Sequence, residues 1–593
     1  MASELENNKS LLFPAYQKEL EARFKEIKSI KTEDYPYFLK GDISGIQDFI
    51  FSVKSKRASR TLKGRSFFIH ALSEICLHLI EAKLKAGNFY VFYNGGGNFY
   101  LLLKEEYKQE IEEIQAAINE DCKDQEFYVT LAVSKIGDLS SEFPAAWSAI
   151  QAASNSGKLS QFKNYLAGFE PYARNTITEP LPDTNPNAKD PFEKFARKLI
   201  DAKGWNVAQL DEPAELVINE QGAIAFNHQY RFDGNKTFDN IVHKLPVWNN
   251  ELQKSHAEAI ENVKKRNEGN PDWEPPANGN IIEFEYLAEF AHARTGSRKL
   301  GVLKMDVDNL GKLFEGIPNG SDAQKLSRAL SYFFGDNLKK LLKEKFNFIK
   351  ACNPGEIPKP DESELYQHNI YVVFSGGDDC FFIGGWDAIM EFAHLVQTHF
   401  EVFVKALKQE IKTLTRNLTV SAGIIMVGPK FPVSRFALLA DEALDMAKAR
   451  KGKNAVNLFG HTLSWEAFAS ARNTANKLAR LILQKGERRA MLERLQKESE
   501  AFDRITDNIA EKGIIQGRSI WRLLYSVRRT ATKENEKELV DITREYTNVL
   551  ADTLVNGRVT SKLYRIPVAA RWAEFLTRVN PSKINKENES KQS

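Results

Sequence analysis

The 593 residues carry 82 Lys+Arg against 79 Asp+Glu, a formal net charge of +3, which excludes a generally basic nucleic-acid coat. With 42% hydrophobic residues, 27% charged residues and 38 Phe, the chain is no disordered segment, and its length allows three to five domains. Cys76, Cys122, Cys352 and Cys380 form no CxxC pair, so neither a disulfide framework nor a zinc ribbon is supported.

In chain order, residues 1–36 read as a helical extension. MASELENNKSLLF shows no basic-then-apolar leader, and no run of about 18 apolar residues follows anywhere, so the expected setting is cytoplasmic, without membrane contact. Residues 37–170 hold a strand that carries an acid (YPYFLKGDISGIQDFIF), a helix (RSFFIHALSEICLHLIEAKL) and a strand–turn–strand (FYVFYNGGGNFYLLL), then a second helix and the strand FYVTLAVSKI. Residues 171–290 contain two turn-rich stretches, 177–190 and 266–280. Between them lie a helical pattern (PFEKFARKLIDAK) and strand-like runs (ELVINEQGAIAFNH), which together read as an inserted α+β domain.

Residues 291–462 repeat the first order. RKLGVLKMDVDNLGKLF is the acid-bearing strand, KLSRALSYFFGDNLKKLLKEK the helix and NIYVVFSGGDDCFFIGG the hairpin. A helix from Asp387, the strand NLTVSAGIIMVG, the helix FALLADEALDMAKAR and GKNAVNLF follow. Residues 463–593 show apolar residues at three- and four-residue spacing, as a helical bundle does. From His461 onward the net charge is +8, leaving −5 for the rest. The same order of elements twice argues a duplication. The copies differ at the turn, which is GGGN in one and GGDD in the other.

A tip of Gly376-Gly377-Asp378-Asp379 puts two carboxylates on a tight turn whose glycines permit close ligand approach. Asp306 and Asp308 end a separate apolar strand. If the two strands are neighbours, three or four carboxylates converge, and such a cluster calls for hard cations, Mg²⁺ or Mn²⁺. Two such ions suit activation of a hydroxyl and departure of pyrophosphate. Lys448 and Lys453 in AKARKGKN are placed to hold phosphates.

FSGGDD, MDVDNLGKLF, GDISGIQDFIF and AKARKGKN together resemble the large subunit of type III CRISPR effector complexes, the CRISPR polymerase family. The resemblance runs from about Phe38 to the helical tail and is weak in motif over 170–290. It implies an α+β multidomain fold: two ferredoxin-like Palm domains of nucleotidyl-cyclase type, an inserted linker domain and a C-terminal helical bundle. It further implies an antiviral nucleotidyltransferase that joins ATP into cyclic oligoadenylate when target RNA is bound. By the same resemblance Asp306, Asp378 and Asp379 are catalytic and hold two Mg²⁺ or Mn²⁺ ions, with the Val307 carbonyl an extra ligand, while Asp308 falls beyond the transferred position. Ser375, Gly376 and Gly377 would lie against the nucleotide.

The first Palm, with Gly95, Gly96, Gly97 and Asn98 at its turn, is expected to bind nucleotide without metal chemistry, Asp42 and Ser44 contacting the acceptor. The implied partners are crRNA and target RNA, neighbouring backbone subunits and small helical subunits. Arg488-Arg489 and Arg528-Arg529 read as solvated helix faces or as RNA contacts. Many family members carry an HD nuclease domain and a four-cysteine zinc site. No His-Asp dipeptide occurs in this sequence and residues 170–210 contain no Cys, so neither DNase activity nor zinc is expected. Two other readings stay open: AMP conjugation to S-adenosylmethionine at the same site, and a non-catalytic RNA-binding scaffold.

Overall fold

The computed structural model describes residues 2–27, 34–53, 58–122, 128–161, 245–270, 273–352, 356–497, 531–556 and 564–579. It also describes the strand segments 206–210, 224–226 and 228–233 and positions 525, 528 and 529. The turn-rich stretch 177–190 and the helical pattern 191–203 lie outside these residues.

The first sheet is built from β1 (Tyr37–Ser44), β2 (Phe89–Gly95), β3 (Asn98–Leu103) and β4 (Tyr128–Lys135) in the order β2-β3-β1-β4, antiparallel throughout. β1 is central, and its run of buried positions reflects cover on both faces. In the inserted region β5 (Asn206–Leu210), β6 (Ile224–Phe226) and β7 (His228–Asp233) form a three-stranded antiparallel sheet.

The second large sheet contains β8 (Leu300–Val307), β11 (Ile370–Gly376), β12 (Asp379–Gly385), β13 (Val420–Val427), β14 (Ala455–Leu458) and β15 (His461–Ser464), while β9 (Lys345–Phe348) and β10 (Glu362–Leu365) pair separately. Its order is β11-β12-β8-β13-β14-β15. The first four strands of that order reproduce β2-β3-β1-β4. β14, parallel to β13, and β15 extend only the second copy. The fold is therefore α+β, with two ferredoxin-like Palms.

The duplication reaches single residues. Each hairpin carries a β-bulge at the same place, between Val91 and Tyr93 and between Val372 and Phe374, four residues before Gly95 and Gly376. A bulge bends its strand and re-aims the residues beyond it, so both turns leave their sheets in the same manner. Alternate residues of each sheet feed two cores, and each core draws on both Palms. Phe38, Tyr100, Met305 and Phe382 share one, while Leu39, Phe99, Tyr371 and Phe381 share the other.

The helix Gly320–Tyr332 passes into a π-helical turn, Phe333–Asn337, before resuming at Leu338–Leu342, a break within the single helix expected from the sequence. The N-terminal helix Ala2–Lys25 docks Tyr16 on His399 and Asn337. In the tail, Phe468 of helix Trp465–Leu483, edge-on to Trp465, packs with Trp572 of helix Arg565–Leu576. Among the described residues no helix is long and apolar enough to cross a membrane, and all four cysteines are free and buried.

Candidate active site

The two turns meet tip to tip. A Cβ added to Gly96 would lie 3.3 Å from the Gly376 carbonyl oxygen, and one on Gly377 would lie 2.8 Å from the Tyr93 hydroxyl. Both glycines also hold left-handed backbone, with φ of 61° and 68°. Only glycine suits positions that are at once left-handed and in backbone contact.

Each Palm also caps the other's edge strand. Tyr371 of β11 donates to the Ser59 carbonyl on helix Ala58–Leu84, and Tyr90 of β2 accepts from the Gln324 amide at 2.8 Å. These tyrosines occupy the same position, five residues before the first turn glycine. A stack of Tyr100, Trp147 and Phe314, with centroids 5.0 and 4.6 Å apart, bridges the Palms beside the turns.

On the second Palm, β12 lies next to β8 with Asp379 directly opposite Asp306, and the Val307 amide donates to the Asp378 carbonyl at 3.0 Å. Cross-strand neighbours have Cβ atoms about 5 Å apart, so register alone gathers these acids. Asp306, Asp378 and Asp379 are half-buried. Desolvation raises the pKa of all three, and repulsion from Asp306 adds to it at Asp378, from Asp378 and Asp306 at Asp379. Opposing cations are few. Lys448 contacts Asp306, while the buried Lys304 is engaged by Asp441.

Asp308 serves a different purpose. Its carboxylate accepts from Thr419 and Ser421 hydroxyls at 2.8 Å and from the Asn454 amide at 3.0 Å, which anchors the loop that bears Lys453. The Ser375 hydroxyl donates to the Phe334 carbonyl at 2.7 Å, tying the turn to the π-helical segment.

The first Palm shows the same register, Asp42 opposite Asn98, with different neighbours. Both Asp42 oxygens are taken, by Lys40 at 2.8 Å and Lys158 at 2.6 Å, and Ser44 accepts from Gln161 at 3.0 Å. A pocket of about 320 Å³ runs from Asp42, Gly95 and Asn98 to Gly377 and Asp378, walled by Phe92, Tyr93, Tyr100, Trp147 and Phe314. A second, of about 290 Å³, is lined by Ser375, Gly376 and Gly377 together with Ser327, Ser331 and Arg23. Tyr93, Trp147, Phe314 and Ser327 carry no motif of their own, and only the meeting of the Palms brings them to the site. Arg488, Arg489, Arg528 and Arg529 are exposed.

Hard-cation chemistry fits the donor set: three partly desolvated carboxylates, each with its pKa raised, that face little positive charge. As they stand, with Lys448 on Asp306, no three His, Cys, Asp or Glu side chains among the described residues converge on one metal position.

Residues 36–173 match the family model described as Csm1 subunit domain B, and residues 299–457 match Cas10/Cmr2, second palm domain. Cas10/Csm1 (subtype III-A) of Methanocaldococcus jannaschii, a curated protein named as a CRISPR system single-strand-specific deoxyribonuclease, is 28% identical over 72% of this chain and 59% of its own length. Its namesake from Thermococcus onnurineus is 27% identical over 72% of this chain and 56% of its own. Over both matched regions the chain is similar to Cas10/Csm1 proteins. It spans little more than half the length of these Cas10/Csm1 relatives. Among solved structures, a Csm1–Csm4 cassette in complex with cA4 superposes with a TM-score of 0.63 at 18% identity, covering 93% of this chain and 72% of that one. Another, in complex with one ATP, gives 0.65 at 19%, covering 91% and 70%. At such identities these likenesses speak to the Cas10/Csm1 fold.

Proposed function

We propose that the chain is the catalytic large subunit of a type III CRISPR antiviral complex, a nucleotidyltransferase that joins ATP into cyclic oligoadenylate at the GGDD turn when the complex binds target RNA. The observation that carries this reading is the pairing of Asp306 with Asp379, Asp378 alongside, on one of two otherwise matched turns. Similarity to Cas10/Csm1 proteins supports it, as do the complexes of Csm1–Csm4 cassettes with ATP, pppApApA and cA4.

In the reaction an acceptor hydroxyl oxygen bonds to the α-phosphorus of ATP, the bond to the β-phosphate oxygen breaks, pyrophosphate leaves, and the hydroxyl proton is lost. Asp306, Asp378 and Asp379, with the Val307 carbonyl, would hold two Mg²⁺ or Mn²⁺ ions, which when bound lower the hydroxyl's pKa and neutralise the leaving group. Gly376 and Gly377 leave the phosphates room against the turn, with Ser375 at its base. Lys448, resting on Asp306, is within reach of a triphosphate there, and Lys453 stands on the adjoining loop. Gly95, Gly96, Gly97, Asn98, Asp42 and Ser44 form the acceptor side. No deoxyribonuclease centre is assigned to these residues, since the sequence has no His-Asp dipeptide. Zinc is not assigned either, and the proposed setting is cytoplasmic, with crRNA, target RNA, and neighbouring backbone and small helical subunits as partners.

One observation favours a second reading, AMP conjugation to S-adenosylmethionine. In the acceptor pocket Asp42 is already paired with Lys40 and Lys158, which leaves Glu315 and Asp378 as its acids, and its walls are aromatic. Such a pocket suits a sulfonium cation better than a second triphosphate.

The test is to incubate the assembled complex and target RNA with labelled ATP and Mg²⁺ or Mn²⁺, with and without S-adenosylmethionine, and to identify the products. A cyclic oligoadenylate is expected. A product that requires S-adenosylmethionine selects the second reading, and no product under any condition overturns both. Product that persists in the Asp378→Ala/Asp379→Ala variant overturns the site.

A further inference from the structure

We propose that Lys63, on the first Palm, is a positioning residue for the GGDD turn of the second, holding β11 through the Val372 carbonyl. The proposal rests on the nucleotidyl-transfer reading for its effect on rate, and on geometry for everything else. β11 is the edge strand of its sheet, and helix Ala58–Leu84 of the other Palm lies along it. Lys63 donates to the Val372 carbonyl at 3.2 Å, at the bulge that aims Gly376–Asp379. One turn of helix earlier, Ser59 receives the Tyr371 hydroxyl. Further along, a Cβ on Gly376 would meet the His70 ring at 3.6 Å. The catalytic hairpin is thus held from its start to its tip by one helix face.

Lys63 is only 4% exposed, and among the described residues no carboxylate pairs with it. Burial, aided by the charge of Lys339, pushes its amine down to about 7. A single hydrogen bond does not offset the desolvation of an unpaired buried ammonium. The residue therefore lowers stability, and groups of that kind are retained where they serve function.

The other Palm supplies the control. Val91, the counterpart of Val372, is 40% exposed. Arg328, four residues after Gln324 as Lys63 is four after Ser59, reaches toward Glu26 at 4.0 Å instead. Among the described residues the lysine clamp exists only on the side that bears the acids.

The experiment uses full-length Lys63→Met and Lys63→Arg in the assembled complex with target RNA and labelled ATP. It reads kcat, KM, Tm and backbone amide exchange across 370–385. Lys63→Met is expected to melt no lower than wild type and to exchange faster only at this hairpin. Its kcat should fall about tenfold or more, with KM for ATP within about twofold, as a misplaced catalytic group would give. Lys63→Arg, which keeps a donor in reach, is expected to restore both exchange and kcat. Unchanged exchange and kcat in Lys63→Met overturn the proposal, as does a lower Tm with uniformly faster exchange, which marks an ordinary core residue. If wild type forms no product, the nucleotidyl-transfer reading fails, and the exchange measurement alone decides whether Lys63 holds the turn.

Discussion

The two Palms share strand order, bulge, edge tyrosine and the register that sets an acid of the central strand opposite the hairpin base. They part in how that acid is neutralised. Asp42 faces Asn98 and is closed off by two lysines, whereas Asp306 faces a second carboxylate, has a third nearby, and meets one lysine. One scaffold thus yields a satisfied ion pair in one copy and, in the other, a cluster short of positive charge. The difference lies in side chains at matched positions, and the backbone is common to both.

Removing an acid from each side is the sharpest way to break this comparison. Asp379→Asn is expected to lower product formation about 1000-fold. In chelator its Tm should not fall, because one of three mutually repelling carboxylates is gone. Asp42→Asn is expected to do the opposite to stability, costing about 3 kcal/mol by leaving Lys40 buried without its partner. Denaturant unfolding of both variants checks the pair, and equal destabilisation would erase the distinction.

The dependence on pH separates the clusters further. Asp306, Asp378 and Asp379 bind protons more tightly folded than unfolded, so their contribution makes the metal-free protein less stable as pH rises from about 4. Mg²⁺, binding the deprotonated acids, should flatten or reverse that slope. The difference in Tm between wild type and Asp379→Asn, followed from pH 4 to 7 in chelator and in Mg²⁺, measures it. The smallest effect concerns the edge tyrosines. Tyr90→Phe and Tyr371→Phe should each cost about 1 kcal/mol, but only Tyr371→Phe, on the catalytic hairpin, should lower the rate as well.

Much of this arrangement was legible in the sequence. Element order and the paired turns disclosed the duplication, because strand, turn and helix signals are local. Asp306 and the GGDD acids could be named, but that Asp306 faces Asp379 is a matter of register. Asp308, two residues from Asp306, is diverted by Thr419, Ser421 and Asn454, more than 100 residues away. Lys63, Tyr90, Tyr371 and the aromatic wall gain their roles only where one Palm meets the other, and no periodicity records that meeting. The π-helical turn at Phe333–Asn337 likewise leaves no mark on an apolar pattern that continues through it.

The contact between the two turns carries a kinetic consequence. Both halves of the site lie on one polypeptide, and the gap between them is fixed by glycine backbone, so neither half has to find the other by diffusion. A cyclase assembled from two copies of a single-Palm chain loses activity on dilution as its dimer dissociates. Here the second half is present at an effective concentration set by covalent connection. The meeting of these two tips is therefore independent of how many copies of the chain are present.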